Sequence, residues 1–555
     1  MERTGAQLLI DSLQDVGIEI LFGIPGGVVI PIFDVLYDSE LRAVLMRHEQ
    51  AAAHAADGYA RASGKLGCCL ATSGPGATNL VTGIATANFD SVPILAITGQ
   101  VRRDLIGNDA FQEADIVGIT RGITKHNYLV RDARDIPRIV REAAHIATTG
   151  RCGPVLIDVP VDVSTSKVEG ELSHDFDIPG YRPSVEGNAR QIERAAELIN
   201  QSERPVLYVG GGVIASGAHE ELLRIAEAGN IPVTTTLMGL GAFPETHRLA
   251  LRMLGMHGTP TANYAVMSSD LLIGIGVRFD DRITGKISEF AEHAEIVHID
   301  VDPSSIGKNV RVKLPVVGDA HRILVELVPL IKRADRAAWV EQIESWRMKH
   351  KLTYRDNGKL KPQYVVQQIR EVTGGDAVIC TEVGQNQMWA AQWFTFDRPR
   401  QFITSGGLGT MGYGFPAAIG AQFARPGTPV FDIAGDGSIQ MNIQELATVA
   451  HNNVPVKIAL LNNGYLGMVR QWQELFFNRR YSHTKLNGNP DFVKLAEAYG
   501  VAGMAVEKTE EVRPALEKAL SIDGPVLLDF RIDPEENVFP IVPAGERIDK
   551  MIDLA

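Results

Sequence analysis

Two short stretches of this 555-residue chain carry residue types suited to holding a divalent cation against a diphosphate. They are Gly435-Asp436-Gly437-Ser438 and Asn462-Asn463, the second beginning 24 residues beyond Ser438. Asp436 offers the hard carboxylate oxygen that Mg²⁺ prefers, and Asn463 can add an amide oxygen. Glycine on both sides of the aspartate removes Cβ atoms, so phosphate oxygens can approach the backbone. A surface turn beside an unrelated Asn pair would use the same letters, because Gly-Asp-Gly alone marks many turns. The flanking elements argue against that. Residues 429–434 and 456–461 are continuous apolar runs of the kind that form buried parallel strands, and 440–450 between them has helical apolar spacing. Two parallel strands would then present both ligands from their C-terminal ends, where open α/β sheets bind ligands.

The same alternation extends along the whole chain, which predicts an α/β fold of three doubly wound parallel-sheet domains. The first covers residues 1–165, with strands at 67–71, 93–97 and 154–158. A polar stretch, 164–187, contains Pro179 and Pro183 and reads as a linker. The second domain covers 188–331, with strands at 205–209, 271–275 and 296–299. A charged, helix-like connection, 332–357, leads to the third, 362–545. With 45% hydrophobic residues the chain is ordinary for a globular protein, and its net charge of −13 argues against a nucleic-acid or anionic-membrane partner. The four cysteines, Cys68, Cys69, Cys152 and Cys380, lack metal-site spacing and predict thiols in a reducing compartment. Residues 1–10 lead into a helical pattern without a signal segment, and no apolar stretch has membrane-spanning length, so a cytoplasmic location is expected.

Other residues could do chemistry. Glu49 follows Arg47-His48 and opens an Ala-rich stretch whose small side chains allow close packing round a carboxylate. An exposed acid in a first helical turn would have the same pattern. The turns ending at Gly26 and at Pro75 to Asn79 are glycine-rich and permit close backbone approach. Gly210-Gly211-Gly212 and Gly274-Ile275-Gly276 end two strands, yet neither gives a Gly-x-Gly-x-x-Gly unit with a ribose-binding acid. After the second, Arg278-Phe279-Asp280-Asp281-Arg282 offers guanidinium groups suited to carboxylate or phosphate.

The Gly-Asp-Gly turn, the strand–helix–strand and the Asn pair resemble the cofactor motif of thiamine diphosphate enzymes, and the three blocks match their decarboxylase superfamily. Arg278 to Arg282 resembles an element of the acetohydroxyacid synthase (acetolactate synthase) family. The likeness runs over nearly the whole chain, through Thr236-Leu237-Met238, 254–258, 405–414, Gly384-Gln385, Gln471-Trp472-Gln473 and 542–545. It implies a transferase that decarboxylates pyruvate and passes the two-carbon unit to a second pyruvate or to 2-ketobutyrate, in valine, leucine and isoleucine biosynthesis. It also implies a pyrimidine-binding, a central FAD-binding and a diphosphate-binding domain, with FAD taking no net electrons. Catabolic members lack the flavin and the Arg278–Arg282 element, so the anabolic type is implied.

The resemblance assigns roles by position. Glu49 would hydrogen-bond the aminopyrimidine, with Gly26, Pro75 and Asn79 nearby. Val383, Gly384, Gln385, Gly409, Gly437, Ser438, Gly467 and Met468 would lie along thiamine diphosphate, with Met411 as the apolar wedge that bends it. Asp436, Asn463 and the main-chain carbonyl of Tyr465 would hold Mg²⁺. Arg282 would bind the second ketoacid's carboxylate and Trp472 shape its pocket, with Phe111 and Gln112 at the mouth. FAD would meet Arg151, Gly211, Gly212, Thr236, Leu237, Met238, His257, Gly276, Arg278, Asp280, Asp300 and Asp319. His48 and His126 would be ordinary partly buried histidines. The implied partners are further copies of the chain, as dimer or tetramer with Glu49 and Asp436 meeting across the interface, and a small regulatory subunit. Three departures stand out: Val161 where the family has lysine, Asn386 where it has histidine, and Arg102 where it has proline, at a channel that takes sulfonylurea-type inhibitors. Another 2-ketoacid decarboxylase or carboligase, or a silent regulatory paralogue, are the competing assignments; intact Glu49, Asp436 and Asn463 argue against the latter.

Overall fold

The computed structural model describes residues 2–169 and 176–553. Parallel strands covered on both faces need apolar side chains on both, and the runs singled out above are such strands. Gly67–Ala71, Pro205–Val209 and Leu271–Ile275 coincide with the expected runs and are buried at every residue. Val430–Gly435 and Lys457–Asn462 are each one residue later than expected, so their last rungs are Gly435 and Asn462, the first residues of the two polar motifs.

Three six-stranded sheets, every neighbouring pair parallel, organise the described residues. The first runs in space Arg42–Leu45, Ile20–Gly23, Gly67–Ala71, Ile94–Gln100, Val155–Pro160, His126–Leu129. The third runs Phe402–Ile403, Val378–Thr381, Val430–Gly435, Lys457–Asn462, Val526–Arg531, Ala502–Val506. Numbered along the chain, both have the order 2-1-3-4-6-5. The middle sheet runs Ala250–Met253, Val233–Thr235, Pro205–Val209, Leu271–Ile275, Glu295–Asp300, Leu314–Val317, an order of 3-2-1-4-5-6. That is the dinucleotide-binding order, although the sequence lacks the glycine fingerprint.

The first and third sheets share one core. Helix Glu49–Ser63, eight of whose residues are alanine or glycine, lies against helix Gly414–Ala424. A Cβ on Gly58 would overlap the Ala417 carbonyl, and one on Gly420 the Ala55 carbonyl, so the backbones touch where side chains normally would. The middle unit keeps its own core, onto which two peripheral segments fold. Helix Ala337–Lys349, from the charged connection, packs on Pro260–Ser268 and donates Trp339 Nε1 to Pro205 O at 3.2 Å. The C-terminal tail returns as well: Val542 N donates to Met256 O at 2.9 Å, and Asn263 Nδ2 to Ile548 O at 2.9 Å.

Three local expectations change. The chain does not begin with a helix: Arg3–Thr4 pairs antiparallel with Lys167–Val168 before helix Gly5–Asp15. The stretch 440–450 is not one helix but two 3₁₀ turns, Ile439–Met441 and Ile443–Glu445, followed by Leu446–Asn452. Tertiary bonds explain it. Asn442 Nδ2 donates to Gly412 O at 2.6 Å, and Glu445 accepts Arg47 N at 3.0 Å, and these outweigh the local helical preference. The polar linker 164–187 is partly ordered by helix Val161–Thr165 and by Tyr181, whose hydroxyl accepts from Lys125 Nζ at 3.1 Å; its residues 170–175 lie outside the described residues.

Candidate functional site

The third sheet reverses its strand order between Val378–Thr381 and Val430–Gly435, and a cavity opens there at the strands' C-terminal ends. Val383, Gly384, Gln385, Met411, Asp436, Gly437, Ser438, Asn463, Tyr465, Gly467 and Met468 line it. Asp436 is 1% exposed. Its carboxylate accepts Asn489 Nδ2 at 2.7 Å and Asn463 N at 3.4 Å, and burial still pushes its pKa up to about 6. Only amides face it, so a divalent cation would supply the positive charge the site lacks. Asn463 Oδ1 accepts Tyr465 N at 3.0 Å and keeps a second lone pair for a metal. The donor set fits Mg²⁺, which binds through one or two carboxylates and completes its shell with phosphate and water. Among the described residues no cluster of three or more His, Cys, Asp or Glu suits a metal, so one acid with amide and carbonyl oxygens is the arrangement available.

The anion's place is equally defined. Helices Gln385–Trp393 and Gly467–Phe476 both begin at the cavity wall, and their free N–H groups and positive dipole ends suit a diphosphate. Space there depends on glycine: a Cβ on Gly467 would overlap Gln385 Oε1 and lie 2.8 Å from Asn463 Nδ2. Asn386, the substitute for the family's histidine, spends both amide hydrogens on main-chain carbonyls, those of Glu382 at 3.0 Å and Ile433 at 2.7 Å. Its amide nitrogen braces the ends of the two strands while the residue still forms part of the cavity wall.

Glu49, Gly26, Pro75 and Asn79 do not line this cavity. Glu49 is half-buried at the start of its helix, capped by His48, whose Nδ1 accepts Gln50 N at 3.1 Å. Asn79 Nδ2 donates to Glu49 Oε2 at 3.0 Å, which fixes the carboxylate's direction. His126 is an exposed strand residue packed edge-on against Tyr128, not a partly buried one. Phe111 is 88% exposed, and Gln112 beside it has φ +59°. Arg102 is exposed and pairs with Asp104, whereas Arg103 Nε meets Asp162 at 2.7 Å beside Val161.

Arg282 and Trp472 come together from different units, with the guanidinium carbon 5.8 Å from the indole centroid. Asp280 accepts Arg282 N at 3.0 Å and caps the short helix Asp281–Thr284. A guanidinium stacked on an indole keeps its N–H fork free for a carboxylate.

The middle unit holds a larger cavity, about 420 Å³, where its strand order reverses. Gly211, Gly212, Met238, Gly276, Arg151, Arg278, Asp300 and Asp319 all line it. Gly276 has φ +59°, and a Cβ on Gly212 would lie 2.6 Å from Gly276 Cα, so the strand ends close only as glycine. Two arginines for phosphate and two aspartates for ribose hydroxyls fit a dinucleotide in volume and chemistry. Burial pushes Asp300 up to about 6. Thr236, Leu237, His257 and Asp280 lie outside these walls. Thr236 caps the turn Leu237–Gly239, and buried His257, pushed down to about 4 by desolvation, sits 3.2 Å from Pro540 O. Sequence reasoning missed Asn489, which gives no signal beyond a polar turn, and Glu382, whose carboxylate accepts the N–H groups of Gly412 at 2.7 Å and Phe415 at 3.1 Å.

Known proteins resemble the chain throughout. Residues 3–119, 192–327 and 382–530 match, in turn, families described as Thiamine pyrophosphate enzyme, N-terminal TPP binding domain; central domain; and C-terminal TPP binding domain. The acetolactate synthase large subunit of Corynebacterium glutamicum is 52% identical over 98% of this chain and 89% of its own. The probable acetolactate synthase large subunit of Methanocaldococcus jannaschii is 51% identical over 99% of this chain and 95% of its own. For the large subunit of Haemophilus influenzae the identity is 46%, over 99% and 98%.

Proposed function

The chain belongs to the acetolactate synthase large subunits of the thiamine pyrophosphate enzymes, and from that premise we propose how its residues divide the work. Thiamine diphosphate, when bound, supplies the electron sink for decarboxylating pyruvate and handing on the two-carbon unit. Asp436, Asn463 and the Tyr465 carbonyl hold Mg²⁺, and the two helix N-termini at Gln385 and Gly467 receive the diphosphate. Met411 presents an apolar face that excludes water from the reacting end. Glu49, aimed by Asn79, holds a proton against the aminopyrimidine. Arg282 binds the carboxylate of the second ketoacid, pyruvate or 2-ketobutyrate, and Trp472 bounds its side chain. The single observation that carries this reading is the meeting of Arg282 with Trp472, whose helix Gly467–Phe476 begins at the cavity wall.

FAD occupies the cavity of the middle unit, held by Arg151, Gly211, Gly212, Gly276, Arg278, Asp300 and Asp319. Its shape and donor set support this. The domains divide at 1–165, 188–331 and 362–545. A second copy of the chain completes each site, because the diphosphate cavity has no wall from the first unit while half-buried Glu49 and exposed Phe111 await cover. A small regulatory subunit is the further partner, and the cytoplasm the location; no described helix is long and apolar enough to cross a membrane.

The test is acetolactate formation from pyruvate with thiamine diphosphate, Mg²⁺ and FAD omitted in turn. Activity requiring all three is expected, and activity without FAD overturns the flavin assignment. Glu49→Gln is expected to bind cofactor yet turn over far more slowly; equal turnover removes the role given to Glu49.

A further inference from the structure

One piece of chain reaches from the wall of one cavity to residues that wall the other. The segment from Ser405 to Phe415 carries Gly409 and Met411, and Met411 lines the diphosphate cavity. Its other end packs on two walls of the middle cavity. Asp90, the last residue of helix Val81–Asp90, lines that cavity together with Phe89 and Ser91. Its side chain is fully buried and accepts two backbone bonds, from Gly406 N at 3.1 Å and Gly407 N at 2.7 Å. Arg61 Nη2, at 2.8 Å, balances its charge. On the other side of Gly406 stands Met238, a second wall of the same cavity, so close that a Cβ on Gly406 would overlap its sulfur.

Leu408 and Gly409 between are exposed, and the segment is fixed again from Thr410. Thr410 N donates to Ser405 Oγ at 3.0 Å, and the Thr410 and Thr86 hydroxyls bond at 2.7 Å. Gly412 is fixed on both sides, its N–H by Glu382 at 2.7 Å and its carbonyl by Asn442 at 2.6 Å. A shift of Gly406 and Gly407 therefore reaches Met411 through only two residues and strains the buried bonds of Thr410, each costly to leave unmade.

We propose that Asp90 is a positioning residue that couples the flavin cavity to Met411: a dinucleotide filling the middle cavity fixes Asp90 and, through Gly406 and Gly407, holds the Met411 segment in the form that grips thiamine diphosphate. The proposal rests on the flavin reading above. It gives a flavin that takes no net electrons a mechanical task, and by linkage thiamine diphosphate tightens flavin binding by the same factor.

The experiment uses the full chain with Mg²⁺ constant. Thiamine diphosphate affinity is titrated by quenching of protein fluorescence, with and without saturating FAD, whose own binding is followed by flavin fluorescence. In the wild type, FAD is expected to tighten thiamine diphosphate binding by a factor within about 5- to 150-fold. In Asp90→Asn, nearly isosteric, flavin still binds and the factor falls toward one. Thr86→Val, which touches neither cavity and removes the hydroxyl that bonds Thr410 and, within its own helix, Thr82 O, lowers the factor at unchanged flavin affinity and decides the matter if Asp90→Asn does not fold. A wild-type factor of one, or a wild-type-sized factor in both variants, overturns the coupling while leaving the flavin reading intact. No flavin binding by the wild type overturns both.

Discussion

Gly467→Ala tests how far the fold and the cofactor site rest on the same hydrogen bonds. The new Cβ meets no fixed backbone; it overlaps Gln385 Oε1 and crowds Asn463 Nδ2 at 2.8 Å, the ends of two movable side chains. The fold can therefore accept alanine, and helix propensity favours it by up to about 1 kcal/mol. The cost falls on the site. Gln385 must swing, which breaks its bonds to Gln471 Oε1 at 2.9 Å, Glu536 O at 3.2 Å and Asn463 Nδ2 at 3.2 Å. Three buried bonds at about 0.5–1.5 kcal/mol each place the loss near 2–4 kcal/mol, larger than the propensity gain. These bonds exist without the cofactor, so the cofactor-free protein should lose about 1–3 kcal/mol net, read as an earlier thermal midpoint, and thiamine diphosphate, whose cavity Gln385 and Asn463 line, should bind at least about tenfold more weakly. Cofactor titration and calorimetry on the same preparation test this. Wild-type cofactor affinity or an unmoved midpoint in the alanine variant would refute the reasoning.

Other outcomes follow from the same structure. Arg282→Lys keeps the charge but loses the planar fork above Trp472, so the Michaelis constant for the second ketoacid should rise about tenfold while CO₂ release from pyruvate continues; the ratio of acetolactate to CO₂ reads it. Gly420→Ala forces a methyl into the Ala55 carbonyl and should destabilise the shared core of the first and third units by at least about 1–3 kcal/mol, visible as an earlier thermal transition. Buried Asp158, with Thr98 Oγ1 at 2.7 Å and Gln100 Nε2 at 3.0 Å, is pushed by desolvation from 3.8 up to about 7. Because its pKa is raised on folding, its stabilising contribution is complete below pH 3.8 and is lost as pH rises to about 7, an effect of up to about 4 kcal/mol. Asp158→Asn should flatten that part of the stability profile; denaturant midpoints across the window measure it.

The parallel strands were legible because burial on both faces leaves no alternation to confuse, as at Leu271–Ile275. Their ends were not, because Gly435 and Asn462 are small or polar and break the apolar run while still making the last rung of the ladder. The helix expected over 440–450 failed where Asn442 and Glu445 answer to Gly412 and Arg47, partners far away in sequence. The dinucleotide order of the middle sheet was hidden for a similar reason: its glycines are divided between two strand ends, Gly212 and Gly276, that meet only in space. Asp436 and Asn463, singled out by the motif, line one cavity with Gly467 and Gln385, which only the resemblance singled out. The nearness of Arg282 to Trp472 was accessible only through the family resemblance, since nothing local links two residues in different units.

The glycine-to-carbonyl contact between helices Glu49–Ser63 and Gly414–Ala424 also sets a schedule for synthesis. Gly58 leaves the ribosome about 360 residues before its partner Ala417. At roughly 5–20 residues per second, the Ala-rich face of the first unit waits about 20–70 s for its cover. Neither linker nor middle unit supplies that surface in the finished structure, so the nascent chain must carry one bare apolar face of this helix, whose other sides pack on Val81–Asp90 and Gly67–Ala71, until its last third emerges.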